Sequence, residues 1–184
     1  MMRIMKLAMV LLALIPFTTF GQETTPKLKI GYANPQAILA YLPESKTIQK
    51  ELEAYMKQLD TQYRSKMEDY QLKLKDFQQK QEMLTDVVKS DKEEELINLQ
   101  NSIAKFEQEA QFAFENKKLK LLEPVYEKIG NAIQAVAEEN GYTMILNAET
   151  SNGFQTILYA TAANNLDELI LAKLGIEPES IQKE

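Results

Sequence analysis

The sequence has 184 residues and is 45% apolar, which is enough for one folded domain. It contains no cysteine and no histidine, and this excludes disulfide bonds, thiol nucleophiles, histidine bases and the common Cys/His zinc sites. Its 27 acidic residues outnumber its 21 basic residues, so no nucleic-acid partner is expected, because nucleic-acid-binding proteins are normally basic.

Residues 1–21 have the pattern of a secretory signal peptide. Arg3 and Lys6 make the start positive, residues 7–17 are an apolar run, and small residues end at Gly21. As a helix this run would rise only about 16 Å, which is too short for a hydrocarbon core of about 30 Å. We expect cleavage after Gly21, leaving an exported chain of net charge −8. An uncleaved membrane anchor is the alternative.

Residues 22–43 are predicted to begin a small body. Residues 27–33 (KLKIGYA) are typical of a β-strand. Asn34-Pro35 then favours the start of a short helix over residues 36–42.

Residues 44–123 are predicted to form a long antiparallel helical hairpin, the arm. The segment contains neither Pro nor Gly, and its apolar residues recur at alternating steps of three and four, as in a coiled-coil seam. Ser90 and Glu93 fit a capping box, which predicts a turn at residues 88–91. A single continuous helix or a disordered segment are the alternatives. The predicted seam has one polar position, Gln81. Its apolar members are Leu52, Met56, Leu59, Tyr63, Met67, Tyr70, Leu74, Phe77, Leu84, Val88, Leu96, Leu99, Ile103, Phe106, Ala110, either Ala113 or Phe114, and Leu121.

Residues 124–184 are predicted to complete the body. Pro124 lies within the returning helix and should kink it, because proline removes a backbone hydrogen bond. We interpret Pro124 as the hinge between arm and body. Asn140-Gly141 is predicted to end this helix.

Two β-rich runs follow. Residues 142–147 and 154–160 are rich in β-branched and aromatic side chains, and Ser151-Asn152-Gly153 lies between them, so a β-hairpin is predicted. A final amphipathic helix is expected over residues 166–174, stopped by Gly175. The predicted fold class is therefore α+β, a helical arm projecting from a small sheet body built from both ends of the chain.

Three short strands in one chain cannot easily bury their faces, and they leave open edges. We therefore predict that several chains share one core made of their sheets and the helices after Pro124. The residues predicted at this interface are Ile30, Tyr32, Val125, Ile129, Ile133, Val136, Ile145, Ile157 and Tyr159.

Several short motifs follow one another along the chain. They are Lys29-Ile30-Gly31-Tyr32 followed by Asn34, Leu42-Pro43-Glu44, Pro124-Val125, Gly141-Tyr142 and Leu158-Tyr159-Ala160. With the long hairpin between them, they resemble the Skp/OmpH family of periplasmic chaperones. The order of the elements is more specific than any single motif.

The resemblance implies a homotrimer whose three arms enclose a cavity. Unfolded outer-membrane proteins would be held there without ATP, in the periplasm, with no cofactor and no bound metal. Well-known members are strongly basic, and some contact lipopolysaccharide through basic residues near the arm. Because the mature chain here is acidic, no contact with lipopolysaccharide or an anionic membrane is expected.

A scaffolding protein and an enzyme are the alternatives to a chaperone. A structural or scaffolding coiled coil of the cell envelope fits the export signal and composition equally well. Catalysis would have to use carboxylate or serine chemistry, yet the chain has no G-x-S-x-G motif and no glycine-rich phosphate loop. The arm's acids are mixed with bases, which is typical of a solvated face. We therefore do not expect an enzyme.

A chaperone of this kind needs exposed apolar residues that its own seam does not use. Leu72, Met83, Val87, Phe112 and Leu119 lie off or beside the predicted seam and are the candidate client contacts. With a turn near residue 90, Leu72 and Phe112 should lie within about one helical turn in height. Isolated exposed apolar residues are also ordinary on protein surfaces, so both interpretations stay open.

Overall fold

A computed structural model describes residues 28–150 and 153–177. The elements in chain order are β1 (Ile30–Ala33), α1 (Pro35–Tyr41), α2 (Pro43–Lys80), α3 (Asp86–Asn140), β2 (Met144–Asn147) and α4 (Asp167–Lys173), with 3₁₀ turns at Gln81–Met83 and Ala162–Asn164. The predicted signal peptide lies outside the described residues. Within the described part of the chain, no helix has the length and apolar character needed to cross a membrane.

Helices α2 and α3 form the predicted antiparallel arm. Helix α2 has 38 residues, so its length is about 57 Å. Helix α3 has 55 residues and therefore continues past the arm into the body. Leu96 and Ile103 of α3 are buried against α2 where the predicted seam places them.

The turn of the hairpin lies at residues 81–85, so the predicted turn at residues 88–91 is wrong. Leu84 and Thr85 have extended backbones, and α3 begins directly afterwards at Asp86. Thr85 is the N-cap residue, but its side chain makes no capping hydrogen bond. The acid at Asp86 suits the positive end of the helix dipole. Ser90 lies inside α3, where its predicted capping role does not apply.

This shift changes which residues lie at the same height on the arm. The Nζ atom of Lys73 is 2.6 Å from Glu95 Oε1, and Gln100 Nε2 donates to the Tyr70 hydroxyl over 2.6 Å. Leu72 therefore lies level with Ile97. Phe112 is about 15 residues further along α3, or about 22 Å away. The predicted proximity of Leu72 and Phe112 is wrong for that reason.

The body contains a two-stranded parallel sheet. Ile30 of β1 lies opposite Met144 of β2, and Ala33 lies opposite Asn147. The strands are parallel because the whole arm connects them and returns the chain to the same end of the body. The sequence did not indicate this pairing.

Residues 154–160 do not form the predicted second strand of a hairpin. They are joined to the chain before them by one antiparallel bridge between Glu149 and Gln155, and Thr156 N donates to Ala148 O over 2.8 Å. Leu158 and Tyr159 are 92% and 87% exposed. Because no surface among the described residues covers these two side chains, their burial cannot stabilise a strand at this position.

The core lies between α1, α4 and the part of α3 after Pro124. Asn34 organises the start of α1, since its Oδ1 atom accepts hydrogen bonds from the N–H groups of Gln36 and Ala37, each over 3.1 Å. Its own N–H donates to Asp167 over 2.7 Å, which joins α1 to α4. Burial raises the pKa of Asp167. The most completely buried side chains are Ile38, Leu42, Ile129, Leu166, Ile170 and Leu171.

Helix ends in the body follow the sequence signals. Helix α3 ends at Gly141, whose φ of 66° lies in the left-handed region that favours glycine. The last helix, α4, spans Asp167–Lys173 and is followed by Gly175 with a φ of 82°. These predicted ends are confirmed.

Gly31 in β1 is predicted to be intolerant of any side chain. A Cβ atom there would lie 2.7 Å from Leu166 Cδ1 and 3.0 Å from Tyr142 Cε1. Gly31→Ala should therefore lower the free energy of unfolding by about 1–3 kcal/mol, measured by urea denaturation.

Gly130 is the matched control, because a Cβ atom there would meet no atom within 4 Å. Gly130→Ala should leave stability unchanged or raise it by up to about 1 kcal/mol, since alanine favours helix. A Gly31→Ala protein as stable as the parent would contradict the proposed close packing of β1 on Leu166.

Candidate functional site

The arm buries its seam only partly. Leu59, Tyr63 and Phe77 of α2 are half-buried, and Met56 is exposed although the prediction places it in the seam. Two helices can cover each other along one line only, so side chains at the border of that line remain open to solvent.

An apolar notch lies at this border, halfway along the arm. Its volume is about 280 Å³. The Tyr63 side chain hydrogen-bonds Glu107 at its rim, and this contact raises the pKa of Tyr63. The notch is lined by Met56, Leu59, Asp60, Tyr63, Phe106, Glu107 and Ala110.

Polar contacts between the helices hold their register. Glu95 accepts from Lys73 over 2.6 Å and from Lys92 over 2.8 Å, and these two ammonium groups lower its pKa to about 2. Nearer the body, Lys66 donates to Ser102 over 3.3 Å. The contacts Lys73–Glu95 and Lys66–Ser102 both join α2 to α3, and both correspond to the same register between the two helices.

A second ion-pair region fixes the root of the arm. Lys128 Nζ lies 2.7 Å from Glu44 Oε1, and this hydrogen bond lowers the pKa of Glu44. Lys117 and Glu51 form a longer contact of 3.4 Å. Pro124 lies between these two lysines, and α3 is continuous through it.

The five candidate client contacts all lie on open surface. The exposed fractions of their side chains range from 61% for Leu72 to 78% for Met83. They do not form one cluster, because Met83 and Val87 are at the tip, Leu72 is on α2, and Phe112 and Leu119 are on α3. Ile97 is 55% exposed as well and was not among the predicted contacts, although its position off the seam indicates an exposed side chain.

The predicted interface residues divide into two groups. Val125, Ile129 and Val136 are at most 6% exposed, because α1 and α4 of the same chain already cover them. Ile133 is half-buried beside them. The face of α3 from Val125 to Val136 is therefore part of the core of one chain, which the sequence could not distinguish from a subunit interface.

The other group lies on the sheet and on the segment after it. Ile30 and Tyr159 are exposed, and Tyr32, Ile145 and Ile157 are half-buried. Four further apolar residues in this region are exposed and were not predicted at the interface, namely Met144, Leu146, Phe154 and Leu158. Together these residues give the body a large uncovered apolar surface.

The described residues offer no cluster of three acidic side chains that could hold a metal ion. Several charged residues of the arm instead pair with each other, as Asp60 does with Arg64 and Lys105 with Glu109. The site is therefore a pair of apolar surfaces, one on the arm and one on the body.

Comparison with known proteins places the chain among relatives of this shape. Residues 29–174 match the family model described as outer membrane protein (OmpH-like). No curated protein sequence matches significantly. A crystal structure of a protein from Caulobacter crescentus CB15, assigned as an outer membrane chaperone (OmpH-like), is similar with a TM-score of 0.64 and 17% identity. The match covers 87% of this chain and 90% of that chain.

The ion pairs of Glu95 predict an acid-sensitive arm. The pKa of Glu95 is lowered from 4.5 to about 2 in the folded chain. Because its folded pKa lies below its unfolded pKa, Glu95 stabilises the arm fully above pH 4.5 and loses that contribution as the pH falls toward 2. The thermal midpoint of the parent should therefore fall more steeply over this range than that of Glu95→Gln.

Glu93→Gln, two residues earlier on the same helix, is the control and should follow the parent. The difference between parent and Glu95→Gln should shrink in about 1 M salt, because salt screens exposed charges. Identical pH profiles for the parent and Glu95→Gln would show that the Lys73 contact does not stabilise the arm.

Proposed function

Because the chain belongs to the OmpH-like family, we propose that it is a periplasmic chaperone that holds unfolded outer-membrane proteins and prevents their aggregation without ATP. The observation that carries the proposal is the set of large apolar side chains on the arm that its own packing leaves exposed. A protein that holds unfolded chains needs such surface, because water-exposed apolar segments are what drives their aggregation.

The arm supports this proposal by its shape. It is about 57 Å long and only two helices wide, so it offers much surface and little core. Its exposed apolar side chains are separated by polar ones, which favours many weak contacts over one tight site. Such contacts suit clients of varied sequence, and release from them needs no chemical step.

We propose that the clients reach the protein after both have been exported. The predicted signal peptide of residues 1–21 supports this location. The acidic charge of the mature chain, −8, does not favour contact with lipopolysaccharide or an anionic membrane.

We further propose a homotrimer assembled through the apolar surface of the body. The exposed side chains of Ile30, Met144, Leu146, Leu158 and Tyr159 support self-association there, since a lone chain would leave them in water. The number three follows from the family resemblance. Pro124 would serve as the hinge at which the arms adjust to clients of different size.

The chaperone proposal is tested by light scattering. An outer-membrane β-barrel diluted from urea should aggregate alone, and an excess of the protein should suppress the scattering in buffer without nucleotide. Adding ATP should change nothing. Failure to suppress scattering at any ratio would favour the alternative, a scaffolding coiled coil of the envelope.

The assembly proposal is tested by particle mass. Size exclusion with light scattering should give about three chains for the parent, in line with the closed assemblies that symmetric oligomers form. Leu158→Ser combined with Tyr159→Ser should lower the mass without lowering the helix content, because both side chains are exposed in the single chain.

Pro124→Ala is the matched variant outside the proposed interface. It should restore a helix hydrogen bond, stiffen the arm and keep the parent's mass. A monomeric parent would overturn the assembly, and loss of mass in Pro124→Ala would show that this proline serves the body and not a hinge.

A further inference from the structure

Helix α3 carries a second row of regularly spaced residues on the side facing away from α2. The row advances by steps of three and four, like the seam, and lies about 160° around the helix from it. We name it the α3 outer row. It comprises Ile97, Asn101, Ala104, Gln108, Phe112, Glu115, Leu119, Leu122 and Tyr126.

The outer row is apolar and nearly free of charge. Three of its large side chains, Ile97, Phe112 and Leu119, are 55–72% exposed. At the body end of the row, Leu122 is half-buried against the core and Tyr126 is 36% exposed. Its one charged residue, Glu115, lies 3.9 Å from Lys118 on the flank of the row. The charged groups of this part of α3 otherwise lie beside the row, as Lys105 and Glu109 do.

Helix α2 has no such row. Its outward face contains one large apolar residue, Leu72, among small and polar side chains. The corresponding positions on α2 are Ala54, Gln58, Thr61, Ser65, Glu68, Leu72, Lys75 and Gln79. The outer row is therefore a property of α3 and does not follow merely from being on the outside of a hairpin.

We propose that the α3 outer row is the surface that holds an extended, amphipathic strand segment of an unfolded β-barrel. This inference rests on the proposed chaperone function and narrows it to one face of one helix. Two of the five candidate client contacts, Phe112 and Leu119, lie in this row, and Ile97 is added to them. The other three candidates, Leu72, Met83 and Val87, lie outside the row and are not proposed as client contacts.

The length and chemistry of the row fit such a segment. Its strongly exposed part, from Ile97 to Leu119, spans about 33 Å, and a transmembrane strand of about 10 residues is also about 33 Å long when extended. Barrel strands alternate apolar with polar residues and carry few charges on the apolar side. The row likewise combines apolar residues with the amides of Asn101 and Gln108.

A second copy of the arm fits the row less well. Ile97, Phe112, Leu119 and Tyr126 together expose roughly 500 Å², whereas a stable dimer buries roughly 800 Å² from each partner. Ile97 and Phe112 are also about 22 Å apart with only Ala104 as an apolar residue between them. A rigid helix would meet polar positions in that interval, while a flexible chain can follow the apolar ones.

Two triple variants test the proposal. Ile97→Gln, Phe112→Gln and Leu119→Gln together remove the outer row. Leu72→Gln, Met83→Gln and Val87→Gln together remove the same number of exposed apolar residues elsewhere on the arm. Glutamine is a good helix former, so thermal midpoint and particle mass should stay near the parent values in both.

The measurement is the concentration that halves aggregation of a urea-diluted outer-membrane β-barrel. We expect the outer-row variant to require at least about tenfold more protein, and the control variant less than about twofold more, because only the first removes apolar side chains that contact the client strand. Equal losses in both variants, or full protection by the outer-row variant, would overturn the proposal.

Photo-crosslinking gives a second readout that does not depend on how the variants fold. A benzophenone amino acid in place of Phe112 should crosslink to the unfolded β-barrel, and the same residue in place of Leu72 should do so weakly or not at all. Crosslinks from position 112 to a second copy of this chain would assign the row to self-association instead. If the parent fails to suppress aggregation, the chaperone proposal is wrong. If the parent suppresses aggregation but position 112 gives no crosslinks to the client, only the proposal that the α3 outer row binds the client is wrong.

Discussion

A pair of antiparallel helices can bury only the line along which they touch, and this constraint shapes the whole molecule. Along that line, Leu96 and Ile103 are buried, but most of the seam is only half-covered. The arm therefore cannot rely on apolar burial alone to fix its register. Cross-helix polar contacts such as Lys73 with Glu95 and Lys66 with Ser102 supply the missing specificity. The same constraint leaves the outward faces available for other partners.

The body solves a different problem, since it must join two chain segments separated by the whole arm. The continuous helix α3 carries the chain back to the body, where β2 pairs in parallel with β1. Asn34, which directly follows β1, then caps α1 and donates its N–H to Asp167 of α4, so it connects three elements. Gly31 allows β1 to approach Leu166 closely. These contacts complete a small core but leave the other side of the sheet uncovered.

The two uncovered surfaces have different characters. On the body, β2 and the segment after it expose several large apolar side chains, such as Met144, Leu146 and Leu158, of the kind that rigid subunits bury together. On the arm, the exposed apolar residues are spaced out along α3 and separated by amides and small side chains. This contrast is the physical basis for assigning assembly to the body and client contact to the arm.

The sequence by itself determined the helical hairpin, the short helices and their ends, because these depend on periodicity and on local residues. Asn34, Gly141 and Gly175 act within one or two turns of the chain, so their effects are visible without the fold. The open positions of Leu72, Phe112 and Leu119 also follow from helical spacing. Only the tertiary structure decided the turn at residues 81–85, because Ser90 and Thr85 offer similar local starting signals and the pairing of the two helices selects between them.

The tertiary structure likewise decided which apolar side chains are buried within a single chain. Val125, Ile129 and Val136 look the same in sequence whether α1 and α4 or another subunit covers them, and here α1 and α4 do. Residues 154–160 have the composition of a strand, but within residues 28–150 and 153–177 nothing covers Leu158 or Tyr159, and the strand does not form there. The reason is common to both cases. Apolar pattern specifies that a side chain should be buried, while the three-dimensional arrangement of distant segments determines what buries it.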